Sequence, residues 1–172
     1  MKRIAIEPEK FVVATHDLLA TRWLALTAGD FAARQFNAMT IAWGSFGVIW
    51  YKPFVQVVVR PGRYTREFME KYDTFTLCAF PAQYKPALQL LGRKSGRDGD
   101  KIAEANLTPI ACDKVSAPAY AEADLIIECR KIYWQDFDST HFLDPLIEGF
   151  YAKQDYHRIY YGEILAISQA VP

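Results

Sequence analysis

Apolar positions along this chain fall mostly in short runs rich in Val, Ile, Thr and aromatic residues, most of them bounded by Gly, Pro, Asp or Asn. Runs of this kind predict strands. They cover Phe11 to Thr15, Trp23 to Thr27, Asn37 to Trp43, Gly47 to Tyr51, Phe54 to Arg60, Phe75 to Phe80, Leu125 to Trp134 and His157 to Ser168. In Leu125 to Trp134, one face carries Leu125, Ile127 and Cys129 and the other Glu128 and Arg130, a half-buried alternation blurred by Ile126 and Ile132. Helical spacing is rarer. Thr65 is placed to N-cap a turn Arg66 to Tyr72, with Phe68, Met69 and Tyr72 on one face. A second helix runs from Lys85 or Pro86 to Leu91 and stops at Gly92, and a third spans Asp100 to Ala105. The order predicts a mainly β fold, a closed β-barrel with short helices between strands, and not the regular alternation of a doubly wound sheet.

With 172 residues, the chain reads as one domain, 1–172. Lys plus Arg and Asp plus Glu number 20 each, so no bulk field draws the protein to nucleic acid or an anionic membrane. The longest uncharged stretch, Gln35 to Tyr51, is too short and too polar to span a bilayer. Glu7 and Glu9 interrupt the N-terminus before a signal-peptide core develops. Cys78, Cys112 and Cys129 are odd in number and widely spaced, which gives neither a disulfide framework nor a metal site and fits a reducing cytoplasm.

Four segments carry candidate chemistry. Asn37-Ala38-Met39-Thr40-Ile41-Ala42-Trp43-Gly44 sets small residues, an indole and a glycine beside strand backbone, which suits a flat ligand and equally suits a core strand ending in a turn. Arg60-Pro61-Gly62-Arg63-Tyr64-Thr65 precedes a helix start, where free N–H groups, guanidinium groups and the Thr65 hydroxyl would stabilise a phosphate; a solvated basic turn is the alternative. Lys94-Ser95-Gly96-Arg97 lies in a glycine-rich cationic loop able to complete an anion clamp, or to remain a charged surface loop; it is not a Walker A loop. His157, opening the last strand, can exchange a proton near neutral pH or simply brace the strand.

Taken in order, Asn37-x-Met39-Thr40-x-x-Trp43-Gly44, Val59-Arg60-Pro61-x-Arg63-Tyr64-Thr65, Phe75-Thr76-Leu77, Lys94-Ser95-Gly96-Arg97-Asp98-x-Asp100-Lys101, Leu107-Thr108-Pro109 and Tyr156-His157-Arg158-x-Tyr160-x-Gly162-Glu163-Ile164 resemble the flavin reductase-like, flavoredoxin-type FMN-binding proteins. The resemblance implies an FMN-binding split β-barrel, a homodimer with FMN near the subunit interface. It also implies reduction of the flavin by NAD(P)H, or flavoredoxin-like electron exchange with a partner protein; a non-catalytic FMN carrier or interaction protein is the alternative. By position it makes Arg60, Arg63, Thr65, Lys94, Ser95 and Gly96 phosphate-side residues, and Asn37, Met39, Thr40, Ile41 and Ala42 ring-edge residues. Trp43 becomes an apolar wall, and His157 the group near the flavin or nicotinamide. The chain departs from many members at Cys78, where they carry Asn.

Overall fold

The computed structural model describes residues 2–171. Its main sheet has eight strands. They are β1 (Arg3–Ile6), β2 (Leu24–Asp30), β3 (Gln35–Ile41), β4 (Gly44–Ile49), β5 (Lys52–Val59), β6 (Thr74–Ala79), β9 (Leu125–Asp136) and β10 (Arg158–Ala170). Three helices, α1 (Thr65–Lys71), α2 (Lys85–Arg93) and α3 (Lys101–Glu104), and a small ladder of β7 (Pro109–Ile110) with β8 (Ala119–Tyr120) are set between them. Strand order is β3-β2-β6-β9-β10-β5-β4, with β1 on the far end of β10, and every pairing is antiparallel.

The sheet does not close. Strands β3 and β4 end the hydrogen-bonded path on opposite sides, although only Ala42 and Trp43 separate them in sequence. The barrel is therefore split, as the family resemblance implies and the strand pattern alone does not, and the chain crosses the split at Trp43. One edge of β3 pairs with β2 while the other has no strand beside it, which leaves backbone donors and acceptors facing the split.

Two cores explain the run lengths. Leu24, Leu26, Met39, Val57, Phe75, Ile127 and Tyr160 fill the barrel, while Ala25, Ala38, Cys78, Leu88, Leu91, Ile102, Tyr120 and Ile126 pack under the helices. Strand β2 is buried on both faces from Leu24 to Gly29, so it reads as a continuous apolar run. Ile126, which blurred the alternation of β9, belongs to this second core. At Gly162 a Cβ would stand 2.4 Å from the Phe75 ring, so β10 passes closest to the barrel centre where it has no side chain.

Two expected elements need correction. Phe11 to Thr15 forms no strand: Phe11 and Val13 alternate inward against the barrel core without a ladder partner, and Arg3–Ile6 takes the sheet edge instead. Thr65 is not an N-cap either. Tyr64 holds that position without a side-chain cap, and Thr65, only 1% exposed, is the first helical residue.

Candidate functional site

Three segments meet at the split: the free edge of β3, the turn between β5 and α1, and the start of β10. They enclose a cavity of about 530 Å³, lined by Met39 to Trp43, Arg60, Gly62, Arg63, Asp155 and His157. Sequence reasoning singled out most of this lining from positions far apart in the chain. The backbone puts them together because β3 ends the sheet and β10 pairs with β5 in a register that sets Arg158 opposite Val59, next to Arg60.

Each polar group at the cavity is held by a neighbour. Arg60 Nη1 donates to Asp155 at 3.1 Å and Nη2 to the Phe150 carbonyl at 2.9 Å, with the guanidinium carbon 5.2 Å from the Tyr151 ring centre. Arg63, exposed at the rim, donates through Nη1 to the Gly92 carbonyl at 2.5 Å, which leaves most of its five N–H groups for a ligand. His157 is 8% exposed and its Nδ1 lies 2.8 Å from the Tyr151 hydroxyl. Burial, reinforced by the Arg60 cation, pushes its imidazole down to about 4. It is therefore neutral at pH 7, and the proton exchange near neutrality expected of an ordinary histidine is moved to acid pH. Trp43 packs 5.4 Å from His157 and edge-on to Phe150 at 5.8 Å.

The remaining sequence candidates lie behind this cavity. Asn37 and Gly96 line a larger one, about 660 Å³, shared with Tyr64, Phe68 and Lys101. The buried Asn37 donates through Nδ2 to Thr65 Oγ1 at 2.7 Å, so the Thr65 hydroxyl ties β3 to α1. Lys94 and Ser95 face neither cavity: Lys94 Nζ pairs with Glu104 at 2.5 Å, and Ser95 Oγ accepts from the Arg97 N–H at 3.2 Å. Thr40 spends its hydroxyl on the Leu88 carbonyl, which fastens β3 to α2. Cys78 is fully buried in the second core, its thiol pushed up by burial, and stands away from the cavity.

Residues not singled out as site candidates hold these groups in place. Tyr151 and Asp155 fix His157 and Arg60. Lys101, 4% exposed, donates to the carbonyls of Leu91 at 3.0 Å and Lys94 at 2.9 Å. Burial, with Arg63 nearby, pushes its ammonium down to about 8. A helix C-terminus collects unsatisfied carbonyls, and a lysine is a natural partner for them; that is the signal which could have marked Lys101. No group of His, Cys, Asp and Glu able to hold a metal occurs among the described residues, and no helix there is long and apolar enough to cross a membrane.

A cavity of this size, with an indole wall, strand-edge backbone along one side and a rim guanidinium, fits a planar ring system bearing an anionic tail. The family model for the flavin reductase-like domain matches residues 17–170. The chain belongs to the flavin reductase-like family. Solved structures agree on the fold. The flavoredoxin of Desulfovibrio vulgaris superposes with a TM-score of 0.67 at 23% identity, over 87% of this chain and 70% of its own. An FMN-binding domain of a flavin reductase-like enzyme from Shewanella baltica gives 0.69 at 19% identity, over 98% and 77%. An NADH:FAD oxidoreductase of Streptomyces globisporus gives 0.65 at 17%, over 87% and 76%. These likenesses show the split-barrel fold of flavin reductase-like proteins. No curated protein matches the sequence.

Proposed function

We propose that this flavin reductase-like protein binds FMN in the cavity at the free edge of β3 and serves as an NAD(P)H-dependent flavin oxidoreductase. The observation that carries the reading is the convergence of Met39 to Trp43, Arg60, Arg63 and His157 on one cavity. FMN, when bound, supplies the hydride and electron chemistry, and the protein supplies binding and surroundings. The unpaired edge of β3 offers N–H and C=O groups to a ring edge, and Trp43 supplies an apolar wall. Arg63, with Gly62 beside it open to solvent, is the cation for the phosphate. The other expected phosphate residues play supporting parts: Thr65 through Asn37, and Lys94, Ser95 and Gly96 by shaping the loop behind Arg63. Neutral His157, fixed by Tyr151, presents an uncharged edge beside the ring. Closeness of NADH:FAD oxidoreductase and FMN-binding relatives in fold supports both halves of the proposal.

The test is a comparison of flavins. FMN should bind the purified protein at least about tenfold more tightly than riboflavin, since each charge-assisted hydrogen bond to the phosphate contributes ~1.5–3 kcal/mol. Arg63→Ala should shrink that gap while leaving riboflavin binding largely intact. Equal affinities for the two flavins in the wild type would remove the assignment. Anaerobic mixing of the loaded protein with NADH and NADPH then asks whether a nicotinamide is the donor; bleaching of the flavin by neither would leave electron exchange with a partner protein.

We also infer that the protein is a homodimer. On the outer face of the sheet Trp50, Tyr133, Tyr161 and Phe54 form a chain of rings with centroids 6.1, 5.6 and 5.3 Å apart. Trp50 and Tyr51, both exposed, turn the β4–β5 hairpin with φ of 51° and 59°, left-handed values that bulky aromatics rarely adopt. Exposed rings on a strained tip are the character of a contact surface. Light scattering should report twice the 19.7 kDa chain mass, and Tyr133→Asp should yield the monomer; a monomeric wild type overturns this.

A further inference from the structure

Between β9 and β10 the chain runs from Phe137 to His157 without a strand, and its rings pack on one another at the mouth of the split. Phe142 stacks on Tyr151 with centroids 5.9 Å apart and planes at 16°, and Phe137 meets Phe142 at 6.2 Å and His157 at 6.4 Å. Phe137, Phe142 and Tyr151, with Trp43, Phe150, Ile147 and Ile159, line a separate cavity of about 460 Å³. Its lining is overwhelmingly apolar. Trp43 lines both this space and the flavin cavity, so a single indole stands between them.

Charge at the rim narrows what can enter. Asp136 and Asp138 lie there, the first ionised beside Arg158 and the second held below its ordinary value by hydrogen bonds from Thr140. The nearest basic partner of Asp138 is His141, at 4.0 Å. Behind the aromatic wall, His157 is neutral at pH 7, and the Arg60 guanidinium, 5.2 Å from the Tyr151 ring centre, is paired with Asp155. An anion would meet the Asp138 carboxylate at the mouth, Asp136 being paired with Arg158, and no Lys or Arg side chain among the described residues of the cavity's lining, and would lose its hydration without compensation. A flat, uncharged ring loses little on leaving water and gains edge and face contacts with five aromatic side chains. The volume suits one or two fused rings.

We propose that this cavity is a binding site for an uncharged aromatic compound of one or two rings, held against the side of Trp43 turned away from the flavin cavity. The site stands on its own walls, whether or not the flavin reading holds.

Calorimetric titration of the FMN-loaded and the flavin-free protein with 2-naphthol, and with 2-naphthalenesulfonate as the matched anion, tests the site. Naphthol should bind at least about tenfold more tightly than the sulfonate, and should shift the Trp43 indole N–H resonance. Ile147→Asp should weaken naphthol by a similar factor, while Ile147→Leu should not; Ile147 lies on the connection outside the sheet, and melting curves confirm that the variants are folded. If Ile147→Asp fails to fold, Phe142→Ala serves in its place. Equal affinity for the two probes, an unmoved Trp43 resonance, or undiminished binding to the cavity variant would each overturn the proposal. So would naphthol binding that emerges only on dilution to monomer, which would assign the cavity to a second copy of the chain. Arg63→Ala separates the two readings: it should weaken FMN toward the affinity of riboflavin yet keep naphthol, so that failure of the flavin assignment and failure of this one leave different records.

Discussion

Gly96→Ala should destabilise the protein by about 2–4 kcal/mol and weaken flavin binding with it. A Cβ at this position would stand 2.1 Å from Asn37 Oδ1 and 3.0 Å from the Tyr64 ring. Asn37 cannot simply swing aside. It is 4% exposed, and its Nδ2 is committed to Thr65 Oγ1 at 2.7 Å and to the Ala38 carbonyl at 3.3 Å. Displacing it strips Thr65 of its partner and loosens the tie between β3 and α1, the two elements that carry Ala42, Trp43 and Arg63 to the cavity. The alternative is for the loop to retreat, which drags Lys94 and Ser95 away from α2. A double-mutant cycle in urea distinguishes the close approach from a general loop effect. In an Asn37→Ala background the added methyl has room, so the same substitution should cost at least ~1 kcal/mol less than in the wild type. Strict additivity would mean that the cost comes from the Tyr64 ring or the loop as a whole and not from Asn37.

That contact also marks how far the sequence could be read. Strands β3, β5, β6, β9 and β10 were legible because each presents a clear apolar run, and most of the cavity lining followed from motifs on them. Their convergence was not legible, since it depends on which strand ends the sheet, and hydrophobic spacing carries no information about sheet order. For the same reason the strand pattern alone suggests a closed barrel, and only the family motifs imply the split. The pattern places the break between β4 and β5 at Lys52-Pro53, two residues late, because the turn lacks the Asn-Gly or Asp-Gly signature and instead forces Trp50 and Tyr51 into left-handed conformations. Its place before a helical pattern marks Thr65 as a cap, but its hydroxyl turns inward to Asn37, 28 positions earlier. Its cationic loop marks Lys94 as a ligand cation, but Glu104 across the loop holds it. In each instance the local signal named the right residue type and a distant partner decided its use.

The largest pH effect expected of the fold comes from His157. In an unfolded chain its imidazole takes up a proton near 6.5, whereas burial and the Arg60 cation hold it down to about 4 in the folded protein. Between those values the unfolded chain binds more protons than the folded one, so stability must fall as the pH is lowered. The contribution is whole above about 6.5, declines through the interval and is gone by about 4; at ~1.4 kcal/mol per decade of proton affinity it amounts to about 3 kcal/mol. Carboxylates held low by ion pairs, among them Glu70, Asp136 and Glu163, add acid sensitivity of their own, but theirs sets in only as the pH drops below their unfolded values near 4. The His157→Gln variant isolates the imidazole, because glutamine keeps a polar partner for the Tyr151 hydroxyl and does not titrate. Urea unfolding from pH 7.5 to 4.5 should show the wild type losing most of that ~3 kcal/mol relative to the variant, with the steepest divergence beginning just below 6.5. Flavin reduction should follow a different course: with the ring neutral down to about 4, its rate in the wild type should be nearly flat across the neutral range, and an inflection near 6.5 would show that His157 is far more solvated than its packing against Trp43 and Tyr151 allows.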